Sequence, residues 1–187
     1  MTNHLPRHLS SILSAIFIII AVVSQDDFAA KKAVEVRSAE DVIRVWSPNQ
    51  HVYIKGNLGL GNQQLSELED WLHKNGSHWT VVLMEQAQDE RYSSQDGRTF
   101  AGLDAVEFAL GHGLANRTKF GSLEHRQTGE TDGCVFVLFL RERKFSYYGS
   151  DAQDRRGIGE SAWLGNLDRE AIQAMRNGGR IIDAVKN

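Results

Sequence analysis

Cysteine is almost missing from this chain: Cys134 stands alone among 187 residues. No intramolecular disulfide can form, so the fold must be held by its core. A basic surplus is missing too. A formal charge of −3 offers no cationic face to a nucleic-acid backbone, so no nucleic-acid partner is expected. Known catalytic signatures are also absent. There is no G-x-S-x-G elbow for a serine hydrolase. His73, His78, His112 and His125 lack the close spacing of a zinc site. No Asp-x-Asp, Cys-x5-Arg or Arg-His-Gly phosphatase signature occurs. These absences weigh against an enzyme of familiar mechanism.

Long hydrophobic runs are scarce as well. Ile12 to Val23 is apolar apart from Ser14, and follows a mildly positive start at Arg7. As a helix it would span roughly 18 Å, short of the ~30 Å hydrocarbon core. That length predicts a secretory leader over residues 1–24, with Val22 and Ser24 as the small residues before a cut at Gln25. The alternative is an uncleaved membrane anchor through residues 9–23. Either reading puts the remainder in the periplasm, a lumen or the extracellular space.

What remains has ordinary globular composition, 41% hydrophobic and 24% charged, enough for one domain with a proper core. Residues 25–49 read as a charged spacer followed by a short helix, opened by the capping box Ser38-Ala-Glu-Asp41 and stopped by Pro48. The main domain is expected over residues 50–187. His51 to Lys55 alternates like a strand. The turn Gly56–Gly61 matches neither a dinucleotide fingerprint nor a Walker loop, and reads as a strand-to-helix connection. Leu65, Leu68, Trp71 and Leu72 form a helical stripe, with Asn75-Gly76 as its cap. Trp79 to Met84 suits a strand buried on both faces.

Residues 87–98 read as a surface loop, and 99–115 as a helix whose last turn is weakened by Gly111 and Gly113, so that it frays or lets another backbone approach. A polar loop over 116–132 leads to the strongest strand, 134–140, which carries Cys134 as a small buried hydrophobe. Residues 144–149 alternate again and complete a hairpin. A loop over 150–166 precedes a helix starting near Asn166 or Asp168, and a last helical piece holds Ile181, Ile182 and Val185. No cap closes that piece before Asn187, the pattern of a helix that continues. The order predicts an α/β fold: one layered domain, a central mixed sheet with helices on both faces, and a right-handed crossover over 79–140.

The stretch Thr131-Asp132-Gly133 followed by the apolar strand, the polar turn Arg141-Glu-Arg143 and a second strand resembles the TPM domain family. The helix 64–75 leading into Trp79–Met84, and the closing Gly178-Gly179-Arg-Ile-Ile-Asp-Ala-Val185, are similar to that family's elements. The resemblance covers roughly residues 50–186. Family members usually carry an Asp before the first helix, where this chain has Lys55-Gly56-Asn57. The resemblance implies a lumenal or periplasmic module that maintains a membrane complex, or alternatively a weak metal-assisted acid phosphatase. It also implies divalent-metal binding.

Acidic residues are the remaining candidates for chemistry. Open α/β sheets bind ligands beyond the carboxyl ends of their parallel strands. Strand 79–84 would deliver Glu85, Asp89 and Asp96 there, while the next helix adds Asp104 and Glu107 on one side. A metal site would suit Ca²⁺ or another divalent cation, with Asp132, Asp151, Asp154 and Glu107 as its ligands. The bland alternative is that these carboxylates solvate loops or pair with arginines such as Arg141, Arg143, Arg155 and Arg156. Trp46, Tyr147, Tyr148 and Trp163 could face a partner, although core packing is the commoner fate of aromatics.

Overall fold

The computed structural model describes residues 32–75, 78–124 and 129–150. These belong to one compact unit within Lys31–Asn187. The leader, Asp151, Asp154, Trp163 and the closing helices lie outside the described residues. A five-stranded mixed sheet forms the centre, in the order β1-β2-β3-β6-β7. Its strands are β1 (Val34–Glu35), β2 (Val52–Lys55), β3 (Trp79–Met84), β6 (Cys134–Phe139) and β7 (Lys144–Gly149). The first four run parallel, and β7 returns antiparallel to β6.

Helices pack on both faces, and strand alternation decides which. Tyr53, Val82 and Val137 lie side by side in register and point to one face, with Val52, Val81 and Phe136 on the other. The first face is covered by α1 (Ala39–Val45) through Val42 and Ile43. A longer helical run beside it comprises α3 (Leu103–Glu107), a π-helical segment (Phe108–Gly113) and α4 (Leu114–Arg117). The second face is covered by α2 (Asn62–Asn75), whose Leu65, Leu68 and Leu72 form the expected stripe.

This arrangement fixes a topological feature. The chain steps from β1 to β2, β3 and β6 always in the same direction across the sheet. Parallel crossovers of one hand would then put all their helices on one face. Because α2 lies opposite α1 and α3, its connection has the opposite hand to the other two. At least one of the three is therefore left-handed, against the strong general preference for right-handed crossovers.

Three local differences from the sequence reading have physical causes. Val34–Glu35, within the stretch read as spacer, extends the sheet, and neighbouring Val36 and Ala39 are buried in the core. The 87–98 loop instead contains β4 (Arg91–Ser93), paired antiparallel with β5 (Thr99–Ala101) around an Asp96-Gly97 turn. Gly97 supplies the required positive φ of 83°. The next helix accordingly begins at Leu103, after Gly102 at φ 62°, rather than at Thr99.

Buried charge holds the strand ends. Glu69 of α2 is fully buried and accepts the backbone N–H groups of His51 at 2.9 Å and Val52 at 2.6 Å. It thereby satisfies donors at the start of β2 that would otherwise be orphaned. Trp46 donates to Thr80 Oγ1 at 3.2 Å and meets Phe120 edge-on. Tyr147 and Tyr148 pack against opposite cores, so these three aromatics serve mainly as packing.

Candidate functional site

The carboxyl ends of β2 and β3 form the crevice expected of an open sheet, since the chain leaves them toward opposite faces. Side chains of the protein itself fill it. Lys55, at the end of β2, lies 2.6 Å from Glu90 Oε1 and 2.7 Å from Asp89 Oδ1. Glu90 is buried, and its Oε2 accepts the N–H of Ala39 at 2.8 Å, at the first turn of α1. Burial pulls the Lys55 ammonium down, but its contacts with Asp89 and Glu90 outweigh that and raise its pKa above the ordinary value. Lys55 in turn holds the Asp89 carboxyl below its ordinary range.

Glu85 accepts from Asn57 N–H at 3.0 Å and pairs with Arg141 at 2.9 Å. Glu142 accepts from Ala87 N–H at 3.0 Å. Gly56, at φ 82°, leaves no space for a side chain, because a Cβ there would lie 2.7 Å from Glu85 Cβ. Sequence reasoning placed Glu85 and Asp89 at this edge, and the structure puts them there as matched structural charges. Asp96 lies instead at the β4–β5 turn.

Asp132 stands at the opposite, amino-terminal edge of the sheet. Its buried carboxylate contacts His78 Nδ1 just before β3. Ser150 donates its N–H to Gly133 O at 3.0 Å and its hydroxyl to Thr131 O, so the chain preceding Asp151 runs beside Asp132. Glu107 is exposed on α3, near Tyr148, whose phenol is pushed up to about 12 by burial first and by the Glu107 charge to a lesser degree. Asp151 and Asp154 lie outside the described residues. Among the described residues, no group of three or more His, Cys, Asp or Glu could hold a metal ion.

Cys134 is buried beside this edge. Burial pushes its thiol up to about 12, against a partial offset from a hydrogen bond with Tyr147. A thiol so held is a packing group and not a nucleophile.

A separate cleft of about 270 Å³ opens between the β4–β5 hairpin and the π-helical segment. Phe108, which lines it from the π-helical segment, stacks on Phe100 of β5 with centroids 3.7 Å apart. Tyr92 and His112 continue the row, at 6.5 Å from Phe100 and 5.3 Å from Phe108 respectively. The Arg98 guanidinium lies beside the phenylalanine stack, 5.7 and 5.6 Å from the two ring centroids. Its Nε donates to Asp96 Oδ2 at 2.7 Å, within a turn also tied by Ser94. The Ser94 hydroxyl, and secondarily Arg98, hold the Asp96 carboxyl low.

The helical wall brings His112 and Asn116, one turn apart, beside Arg117. Arg117 is paired with Glu40 at 3.1 Å; hydrogen bonds to Glu40 first and Tyr92 second raise its pKa. π-helical turns recur at functional sites because the extra residue redirects side chains. The two glycines of this segment admit close neighbours rather than fraying. A Cβ at Gly113 would lie 2.7 Å from Tyr92 Oη, and one at Gly111 would lie 3.0 Å from the Tyr148 ring.

Sequence reasoning missed this cleft. The available signals were the Asp96-Gly97 turn flanked by Tyr92 and Phe100, and the paired glycines in a helix that should prefer none. Compared with family models, with curated proteins and with solved structures, the chain matches none.

Proposed function

We propose that this chain is an exported TPM-like domain acting as a binding and maintenance module for a membrane or envelope complex on the non-cytoplasmic side. The observation that carries the reading is the cleft formed by Tyr92, Arg98, Phe108, His112, Asn116 and Arg117. It is rich in Tyr, Phe and Arg, residues that anchor protein interfaces, and it is pre-formed by the β4–β5 hairpin and the π-helical turn. The leader-like residues 1–24 support export, and residues 9–23 would tether the module if uncut. No helix among the described residues is long and apolar enough to cross a membrane.

Metal-assisted phosphatase action is the weaker reading. Of its four candidate ligands, Asp132 is engaged by His78, and Glu107 stands exposed on α3. The reading is tested with the full tagged chain in cells, followed by fractionation and solubilisation of the envelope. The module should appear in the non-cytoplasmic fraction and co-purify with one membrane complex at reproducible stoichiometry. The purified chain should not turn over a generic phosphate ester with millimolar Ca²⁺, Mg²⁺ or Mn²⁺. Cytoplasmic recovery without a partner, or metal-dependent turnover lost in Asp132→Asn, would overturn it.

A further inference from the structure

We infer that the cleft recognises a carboxylate, presented by an acidic side chain or chain terminus of the partner; this rests on the cleft being the binding site proposed above. The first support is a donor imbalance. Lining the cleft are Arg98, His112, Asn116 and Gln95, whereas Arg117 is paired with Glu40 and Tyr92 and the Ser94 hydroxyl donates to Asp96, the one carboxylate among the lining residues. Asp96 is already spent on Arg98 and Ser94 within its own turn. A ligand that accepts hydrogen bonds fits the remaining donors of Arg98, His112, Asn116 and Gln95.

Pre-organisation is the second support. Arg98 engages Asp96 through Nε alone, and its two terminal amino groups have no carboxylate among the described residues. The guanidinium lies beside the stacked Phe100 and Phe108 rings, 5.7 and 5.6 Å from their centroids. A guanidinium presenting both terminal amino groups matches the two oxygens of a carboxylate, and the bond from Nε to Asp96 already orients it.

Size and the second wall narrow the ligand further. About 270 Å³ admits one or two side chains, not a folded element. On the helical wall, His112 and Asn116 share a face and supply donors opposite Arg98. The Phe108 ring, which lines the cleft, suits the methylene stem of a glutamate or the apolar neighbour of a terminal carboxylate.

The test uses two fluorescein-labelled decapeptides of identical sequence except that the central Glu-Glu-Glu of one is Gln-Gln-Gln in the other. Binding to the full chain is read by anisotropy, with succinate and inorganic phosphate as competitors. The acidic peptide should bind at least tenfold more tightly than its amide twin. Arg98→Gln and Asn116→Ala should each weaken it about tenfold, Arg98→Lys should restore only part, and unchanged thermal melts should exclude misfolding. Competition by succinate supports carboxylate recognition from a free as well as a peptide-borne source.

Equal affinity for the two peptides, no binding of either, or affinity indifferent to Arg98→Gln overturns the carboxylate assignment. These results leave the cleft reading standing if His112→Ala and Tyr92→Phe still reduce recovery of the membrane complex. If recovery is indifferent to every cleft substitution, the binding-site reading itself fails.

Discussion

Replacing Glu90 by leucine should destabilise the domain well beyond an ordinary surface change. Glu90 is 1% exposed; one carboxylate oxygen lies 2.6 Å from Lys55 Nζ and the other accepts the Ala39 N–H at 2.8 Å. Glu90→Leu leaves a largely buried ammonium and an unpaired helix-start N–H. Removing one member of a buried pair costs about 3–5 kcal/mol. Asp89 remains beside Lys55 but is more than half exposed, so we expect a loss in the lower part of that range, near 3 kcal/mol.

The assay is urea unfolding followed by tryptophan fluorescence, with an unchanged m-value indicating that the native surface is preserved. In the double variant Lys55→Met with Glu90→Leu no buried charge is stranded, and it should recover at least about 1 kcal/mol. A Glu90→Leu loss below about 1 kcal/mol, or a double variant as unstable as the sum of its singles, would refute the structural role given to this pair.

Three further outcomes follow from other positions. Because the Lys55 pKa is raised in the folded state, its contribution is complete below the unfolded value of about 10.4 and is lost as pH rises through the folded one. The stability gap between the native chain and Lys55→Met should therefore hold from pH 8 to 10 and narrow above that; a gap that widens contradicts the assignment. Gly113→Ala, whose Cβ would meet Tyr92 Oη at 2.7 Å and Ile43 Cδ1 at 2.9 Å, should cost about 1–3 kcal/mol, with Tyr92→Phe relieving part of it in a double-variant melt. Cys134 should resist iodoacetamide at pH 8 in the folded chain and react promptly in urea; stoichiometric native labelling would show that the thiol is neither buried nor raised to about 12.

How far the sequence spoke depended on whether periodicity ran long enough to be read. The Leu65-Leu68-Leu72 stripe and the unbroken run Trp79–Met84 each carried one clear pattern, and each element formed where the pattern lay. The Cys134–Phe139 run and the alternation after it paired as the expected hairpin. By contrast β1 has two residues and β4 and β5 three each, too few for any period to show. Phe100 and Leu103 mimicked the first turn of a helix, although Phe100 belongs to β5.

Site legibility failed for a related reason. The crevice at the carboxyl ends of the strands was foreseeable from topology, but its charge matching was not, because Lys55, Asp89 and Glu90 meet only once β2 and the loop after β3 are placed. Asp132 read as an available ligand, and its pairing with His78 joins residues 54 positions apart. The cleft draws Tyr92, Arg98 and His112 from a hairpin and a helix that the sequence did not separate.

The most direct test of the account is quantitative recovery of the membrane complex by the tagged full chain, native against Arg98→Gln/His112→Ala, at equal expression and equal melting temperature. The account predicts that the double variant loses most of the recovered complex while staying folded and in the same cell fraction. Undiminished recovery would show that the β4–β5 cleft is not where this protein binds.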